Sequence, residues 1–135
     1  MSGTQVAPDL KAAQTIRPQS VGTGTLNGLA VDTAGYDEAI VVLDAGTFTT
    51  GTLDAKVQES ADGSSGWVDI AGAAFAQVTS TTDDSIYVGT IRMEGSRRRY
   101  LRVVAIVATA ACLAAAQIHL GKPVAMPAQS MAFNV

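Results

Sequence analysis

The stretch Phe48–Ser60 constrains this chain most. In FTTGTLDAKVQES, Leu53, Ala55 and Val57 alternate with Asp54, Lys56 and Gln58. Side chains of a strand point to opposite faces in turn, so this period of two requires an extended strand. One of its faces is dry and the other wet, as in antiparallel sheets that pack one side on a core.

The same grammar recurs along the chain. Glu38–Leu43 is rich in β-branched residues and reads as a buried strand. Leu26–Val31 reads as a strand bent at Asn27-Gly28, and Asp32–Gly35 as a turn. The polar loop Ala61–Gly66 leads into a return strand beginning at Trp67–Ile70, which makes a hairpin. Phe75–Thr79, Ser85–Met93, Tyr100–Ala108 and Cys112–Leu120 are further expected strands. The alanines of the last favour a helix in isolation, but it follows a hairpin-like turn at Thr109–Ala111. Short strands, glycine-rich turns and no long helix predict an all-β chain: an antiparallel β-sandwich or β-barrel of jelly-roll type. That domain is expected over residues 23–121. Residues 1–22 and 122–135 lack a sustained period and read as extended N- and C-terminal arms, the second with Met126, Met131 and Phe133 as anchors.

Composition bears on what such a domain can do. Area scaling has a monomer of 135 residues bury roughly two thirds of its unfolded surface, enough for a core without staples. Cys112 is the only cysteine and His119 the only histidine, which excludes an internal disulfide and any zinc site built on Cys/His clusters. No G-x-S-x-G elbow supports a serine hydrolase, and Cys112 sits among alanines, where a thiol stays protonated. Asp62, Asp69, Asp83 and Asp84 do not form a calcium loop, and Val21–Gly28 misses the dinucleotide-binding glycine spacing by one position. The chain therefore reads as no enzyme, with no cofactor. Val103–Ala116 is apolar over 14 residues, short of the roughly 20 that a membrane helix needs. The first residues lack the apolar core of a secretory signal, so a soluble protein made in a cytoplasm is expected.

Charge is sparse, at 16% of residues against a usual ~25%, which suggests surface hidden in an assembly. It is also unevenly placed. Residues 1–90 carry three basic and eleven acidic side chains, a balance of −8; residues 91–135 carry six and one, a balance of +5. Arg92, Arg97, Arg98, Arg99 and Arg102 fall within eleven positions. Read as one hairpin, Arg92 and Arg102 lie on adjoining strands with the triplet at the tip. Such a knob suits carboxylates of a protein partner, or a solvated turn; the acidic chain as a whole points away from nucleic acid. Trp67 either seals an end of the core or offers a stacking face to a ligand.

Three segments carry a resemblance: Gly35–Val42 (GYDEAIVV), Ala55–Gly63 (AKVQESADG) with Trp67–Ile70 (WVDI), and Arg99–Val104 (RYLRVV). A Gly-Tyr turn, an apolar strand, an extended strand ending V-Q-x-S-x-D-G and then W-x-D-I resemble a group of small virion proteins of tailed bacteriophages. The resemblance spans roughly residues 30–121. It implies a capsid decoration, or cement, protein that binds the assembled head on the virion surface. Its partner would be the major capsid protein, its oligomer often a trimer, and its arms would reach over neighbouring subunits. Interface candidates on that reading are Arg92, Arg97, Arg98, Arg99, Arg102, Trp67, Met126 and Phe133. The stretch from Gln58 to Trp67 also resembles strands of galactose-binding-like jelly rolls, which implies a carbohydrate-binding module with a glycan near Trp67. A tail or connector subunit is a third reading.

Overall fold

Among the described residues, ten strands account for the expected alternation. The structure, a computed structural model, describes residues 10–121 and 132–135. The strands are β1 (Lys11–Val21), β2 (Gly24–Asn27), β3 (Val31–Asp32), β4 (Glu38–Ala45), β5 (Thr52–Ser60), β6 (Val68–Ala74), β7 (Ser85–Arg92), β8 (Tyr100–Ala108), β9 (Cys112–Gly121) and β10 (Phe133–Asn134). They form two sheets. The first has the order β1-β9-β4-β7-β10, and the second β2-β8-β5-β6, with β3 also paired to β8.

All pairings are antiparallel except β10 beside β7. From β4 onward the chain passes from one sheet to the other after β4, β6, β7 and β8. This wrapping, with sheets ordered 1-9-4-7 and 2-8-5-6, is that of a jelly roll, two Greek keys folded into a sandwich. The sheets keep open edges, so the barrel alternative is set aside for the sandwich.

Burial follows the period of two. In β5 Leu53, Ala55 and Val57 are buried, and in β4 Ala39, Val41, Leu43 and Ala45 are. They meet Ile91, Leu101, Val103, Ile118 and Leu120 between the sheets. The alanine-rich β9 is a strand because it lies between β1 and β4, where burial on two sides outweighs the helix preference of alanine.

The structure differs from the sequence reading in four places. Lys11–Val21, expected in the first arm, form edge strand β1 against β9. An edge strand needs few apolar residues, and here only Ile16, Val21 and Thr15 are buried. Pro18 falls in a register shift between Ile16 and Gln19, where it interrupts no ladder bond on the outer side. The expected strand at Leu26–Val31 is divided into β2 and β3. Phe75–Thr79 yields one bridge, Val78 to Leu53, instead of a strand. Finally, Thr109–Ala111 and the Glu94–Arg99 segment are crossings between sheets and not hairpin turns, so Arg92 and Arg102 lie in different sheets. Of the second arm, Met126 and Met131 lie outside the described residues; Phe133 is in β10 and buried in this chain's own core.

Candidate binding surfaces

Because Leu53, Ala55 and Val57 face the core, Asp54, Lys56 and Gln58 face outward, and the register places Arg102 opposite Gln58 and Asp69 on its other side. These side chains form a polar chain. Arg102 donates from Nε and Nη2 to Gln58 Oε1 at 3.0 and 2.7 Å. Gln58 Nε2 donates to Asp69 Oδ1 at 2.9 Å, and Lys56 Nζ to Asp69 Oδ2 at 3.0 Å. The Gln58 and Lys56 bonds hold the Asp69 carboxyl below its ordinary pKa. The Arg102 guanidinium lies 4.3 Å from the centroid of the Trp67 ring, a cation–π contact. Trp67 is half-buried and outside the core cluster. It is thus a wall for Arg102, not a seal on the core.

Three other arginines of the cluster are also engaged within the chain. Arg99 makes a bidentate pair with Asp32, Nε to Oδ1 at 2.7 Å and Nη2 to Oδ2 at 2.8 Å. Arg97 Nη1 lies 3.4 Å from Glu59 Oε1, which also accepts the Arg98 backbone N–H at 2.9 Å. Arg98 Nη1 donates to the Gly66 carbonyl at 3.3 Å. Arg92 sits opposite Glu38 at the end of β7. Four of the five arginines therefore tie β8 and the segment before it to β3, β5 and the β5–β6 loop, and the five do not converge on one knob.

The Arg99 pair and the backbone N–H of Ala34 lower the Asp32 carboxyl from 3.8 to about 2. A carboxylate depressed in the folded state stabilises the fold above its unfolded pKa, and that contribution is lost as pH falls through the folded value. Asp32→Asn should therefore melt below wild type at pH 5 to 7, with the gap closing as pH drops from about 4 to about 2. Thermal melts of both proteins across that range check this; a gap that persists at pH 2 would refute it. The effect should be small, because both side chains are substantially exposed.

The outer face of the first sheet has a different character. Ile40 and Val42 face outward, since Ala39, Val41 and Leu43 face the core. Their cross-strand neighbours on that face are Thr90 and Val88 of β7 and His119 and Gln117 of β9; Ile86 and Ala115 flank Asp44. Ile86 is 63% exposed, and Leu113 near the same end is 55% exposed. The result is a strip of Ile40, Val42, Ile86, Val88, Leu113 and Ala115 interrupted by Asp44 and Thr90 and bordered by Gln117 and His119.

His119 and Cys112, the pair weighed for nucleophilic chemistry, are not brought together. His119 Nε2 lies 3.0 Å from Gln117 Oε1 on the outer face, whereas Cys112 is buried on the inner side of the same strand, its thiol pKa raised by burial. Asp83 accepts the Phe48 N–H at 2.6 Å, and Asp84 the Thr47 hydroxyl at 2.8 Å. Asp62 accepts the Ser64 and Ser65 N–H groups, which hold its pKa well below the usual range. Asp62 thus closes a turn, and Asp83 and Asp84 tie the loop before β7 to the segment after β4. Among the described residues no group of three or more His, Cys, Asp or Glu could hold a metal ion, and no helix is long and apolar enough to cross a membrane.

No protein-family model matches the chain, and no curated protein matches it. Among solved structures, one similar chain comes from a study titled "Bacillus endospore appendages form a novel family of disulfide-linked pili", at 15% identity and a TM-score of 0.46, over 91% of this chain and 96% of that one. Another comes from the infectious bursal disease virus Gx strain, at 8% identity and a TM-score of 0.42, over 84% of this chain and 32% of that one. Similarity at these levels carries no statement about function.

Proposed function

We propose that this chain is a non-catalytic structural subunit of a tailed-phage virion, a decoration protein that docks on the assembled head and cements it. The contrast between its two outer sheet faces carries the reading. The second sheet presents an internally bonded polar row, Lys56, Asp69, Gln58 and Arg102, that suits solvent. The first presents Ile40, Val42, Ile86 and Val88 side by side on its outer face, with Ile86 63% exposed. An exposed apolar strip of this kind suits burial against another protein. The major capsid protein is the proposed partner, and a trimer the proposed oligomer. Arg92, exposed at the end of β7 and with no side-chain bond among the described residues, is the arginine of the cluster most available to an acidic surface.

A protein that binds only assembled shell stabilises it by mass action. Purified protein added to undecorated shells should co-sediment with them and raise their melting temperature, and Ile86→Lys should lower occupancy. Absence of binding would overturn the proposal. Trp67, half-buried beside Arg102, Gln58 and Asp69, favours the carbohydrate reading as the second choice. A glycan array separates the two: binding lost in a folded Trp67→Ala variant would favour sugar over shell.

A further inference from the structure

The outer face of the first sheet carries two opposite charges that the chain leaves unpaired. Arg17 and Asp44 are both exposed, and neither side chain makes a hydrogen bond or ion pair among the described residues. The register sets them level. Asp44 lies opposite Ala115 of β9, and Arg17 falls between Ile16, opposite Ala116, and Gln19, opposite Ala114. Ile16 is buried, so its neighbour Arg17 turns outward. The small side chain of Ala115 stands between the two charges, whose strands lie two spacings, or about 10 Å, apart.

Beside Asp44 on β7 is Ile86, 63% exposed. Val42 and Val88 follow in the next outward row, then Ile40 and Thr90. At the far end Glu38 and Arg92 stand opposite each other, so that row adds no net charge. Strands β1, β9, β4 and β7 and the eight residues of β4 define the face. It covers roughly 500 Å² in projection. That is of the order of the ~800 Å² of accessible surface that each partner gives to a standard interface.

We propose that this face pairs with the same face of a second copy, about a two-fold axis running along the strands between β9 and β4. Such an axis lays β4 of one copy over β9 of the other, and β7 over β1. Arg17 of the second copy then lies over Ile86, next to Asp44. Its aliphatic stem covers the exposed isoleucine while its guanidinium reaches the carboxylate. The two-fold makes this contact twice, since each residue repeats the contact of its partner. Ile40 and Val42 come to lie over His119 and Gln117 of the second copy and leave water together. The charges argue for a copy of this chain: the face supplies its own cation and anion, on strands that the axis exchanges. The pair covers the strip in free protein and has to open before the strip can meet a shell. It forms without a shell, so the inference stands apart from the decoration reading.

Sedimentation of the full-length protein, with no shell present, tests it. Wild type should dimerise. Arg17→Glu and Asp44→Arg should each raise the dissociation constant at least tenfold, because each sets like charges together twice. Mixed in equal amounts, the two variants should regain the wild-type affinity as a heterodimer, in which every reversed charge meets an opposite one. Both positions are exposed, so both variants should keep the fold, which circular dichroism checks. Asp54→Arg, on the outer face of the second sheet, should leave the dimer as it is. A wild type that sediments only as a monomer would overturn the proposal. So would a dimer indifferent to both reversals, one weakened equally by Asp54→Arg, or folded variants that stay weak when mixed. Shell binding enters none of these measurements, so failure here is distinct from failure of the decoration reading.

Discussion

Leu53→Ala is expected to cost about 2–5 kcal/mol of folding stability, the range for truncating a buried leucine whose cavity only partly collapses. Leu53 is fully buried in β5, opposite Val107 of β8. Its backbone also exchanges two bonds of 2.9 Å with Val78, so the strand is held on both sides and cannot readily shift to fill the void. The neighbouring Asp54 faces out, and its carboxylate accepts a 3.0 Å bond from Gln77. Asp54→Ala should change stability by less than about 0.5 kcal/mol. Urea unfolding of both variants gives the comparison. Equal losses would mean that the two faces of β5 are not divided between core and solvent.

That division was legible in the sequence because it is local. Side-chain alternation over six residues determines which face of β5 is dry, and β8 begins and ends at Tyr100 and Ala108 as expected. Which sheet a strand joins is not local. Thr109, at a φ of 75°, starts a three-residue connection between β8 and β9 that looks like a hairpin turn. A turn signal records reversal of the chain, whereas pairing depends on which edge of a twisted sandwich is free. The arginine cluster was misread for the same reason. Asp32 and Glu59 meet Arg99 and Arg97 across 67 and 38 positions, and no spacing rule announces such partners. β1 was missed because an edge strand exposes most of its length and so carries little apolar pattern. Phe133 shows its role only once Gly89 is known to lie beneath it.

Thr15→Val should be nearly as costly as Leu53→Ala, although it preserves shape. Thr15 lies at a register shift in β1 and is 1% exposed. Its hydroxyl donates to the Leu29 carbonyl at 2.9 Å and accepts the Val103 N–H at 3.0 Å. A β1 side chain in the first sheet thereby closes the ladder of β8 in the second. Gly28 makes the approach possible: a Cβ there would strike Thr15 Oγ1, and would lie 2.5 Å from the Val103 carbonyl and 2.8 Å from that of Thr15. Valine at position 15 leaves the buried Val103 N–H without a partner, at about 1–3 kcal/mol, and removes the part-buried bond to the Leu29 carbonyl. Thr15→Ser keeps both bonds and should lose far less. Gly28→Ala forces the same seam apart through backbone atoms that have no flexible end to yield. Added to Thr15→Val, it should cost less than the sum of the single effects, because both break one network. Hydrogen exchange locates the damage: the Val103 amide should lose protection in Thr15→Val while the Val41 amide, deep in β4, keeps it. Equal protection of Val103 in both proteins would mean that the hydroxyl is not what joins the sheets at this edge.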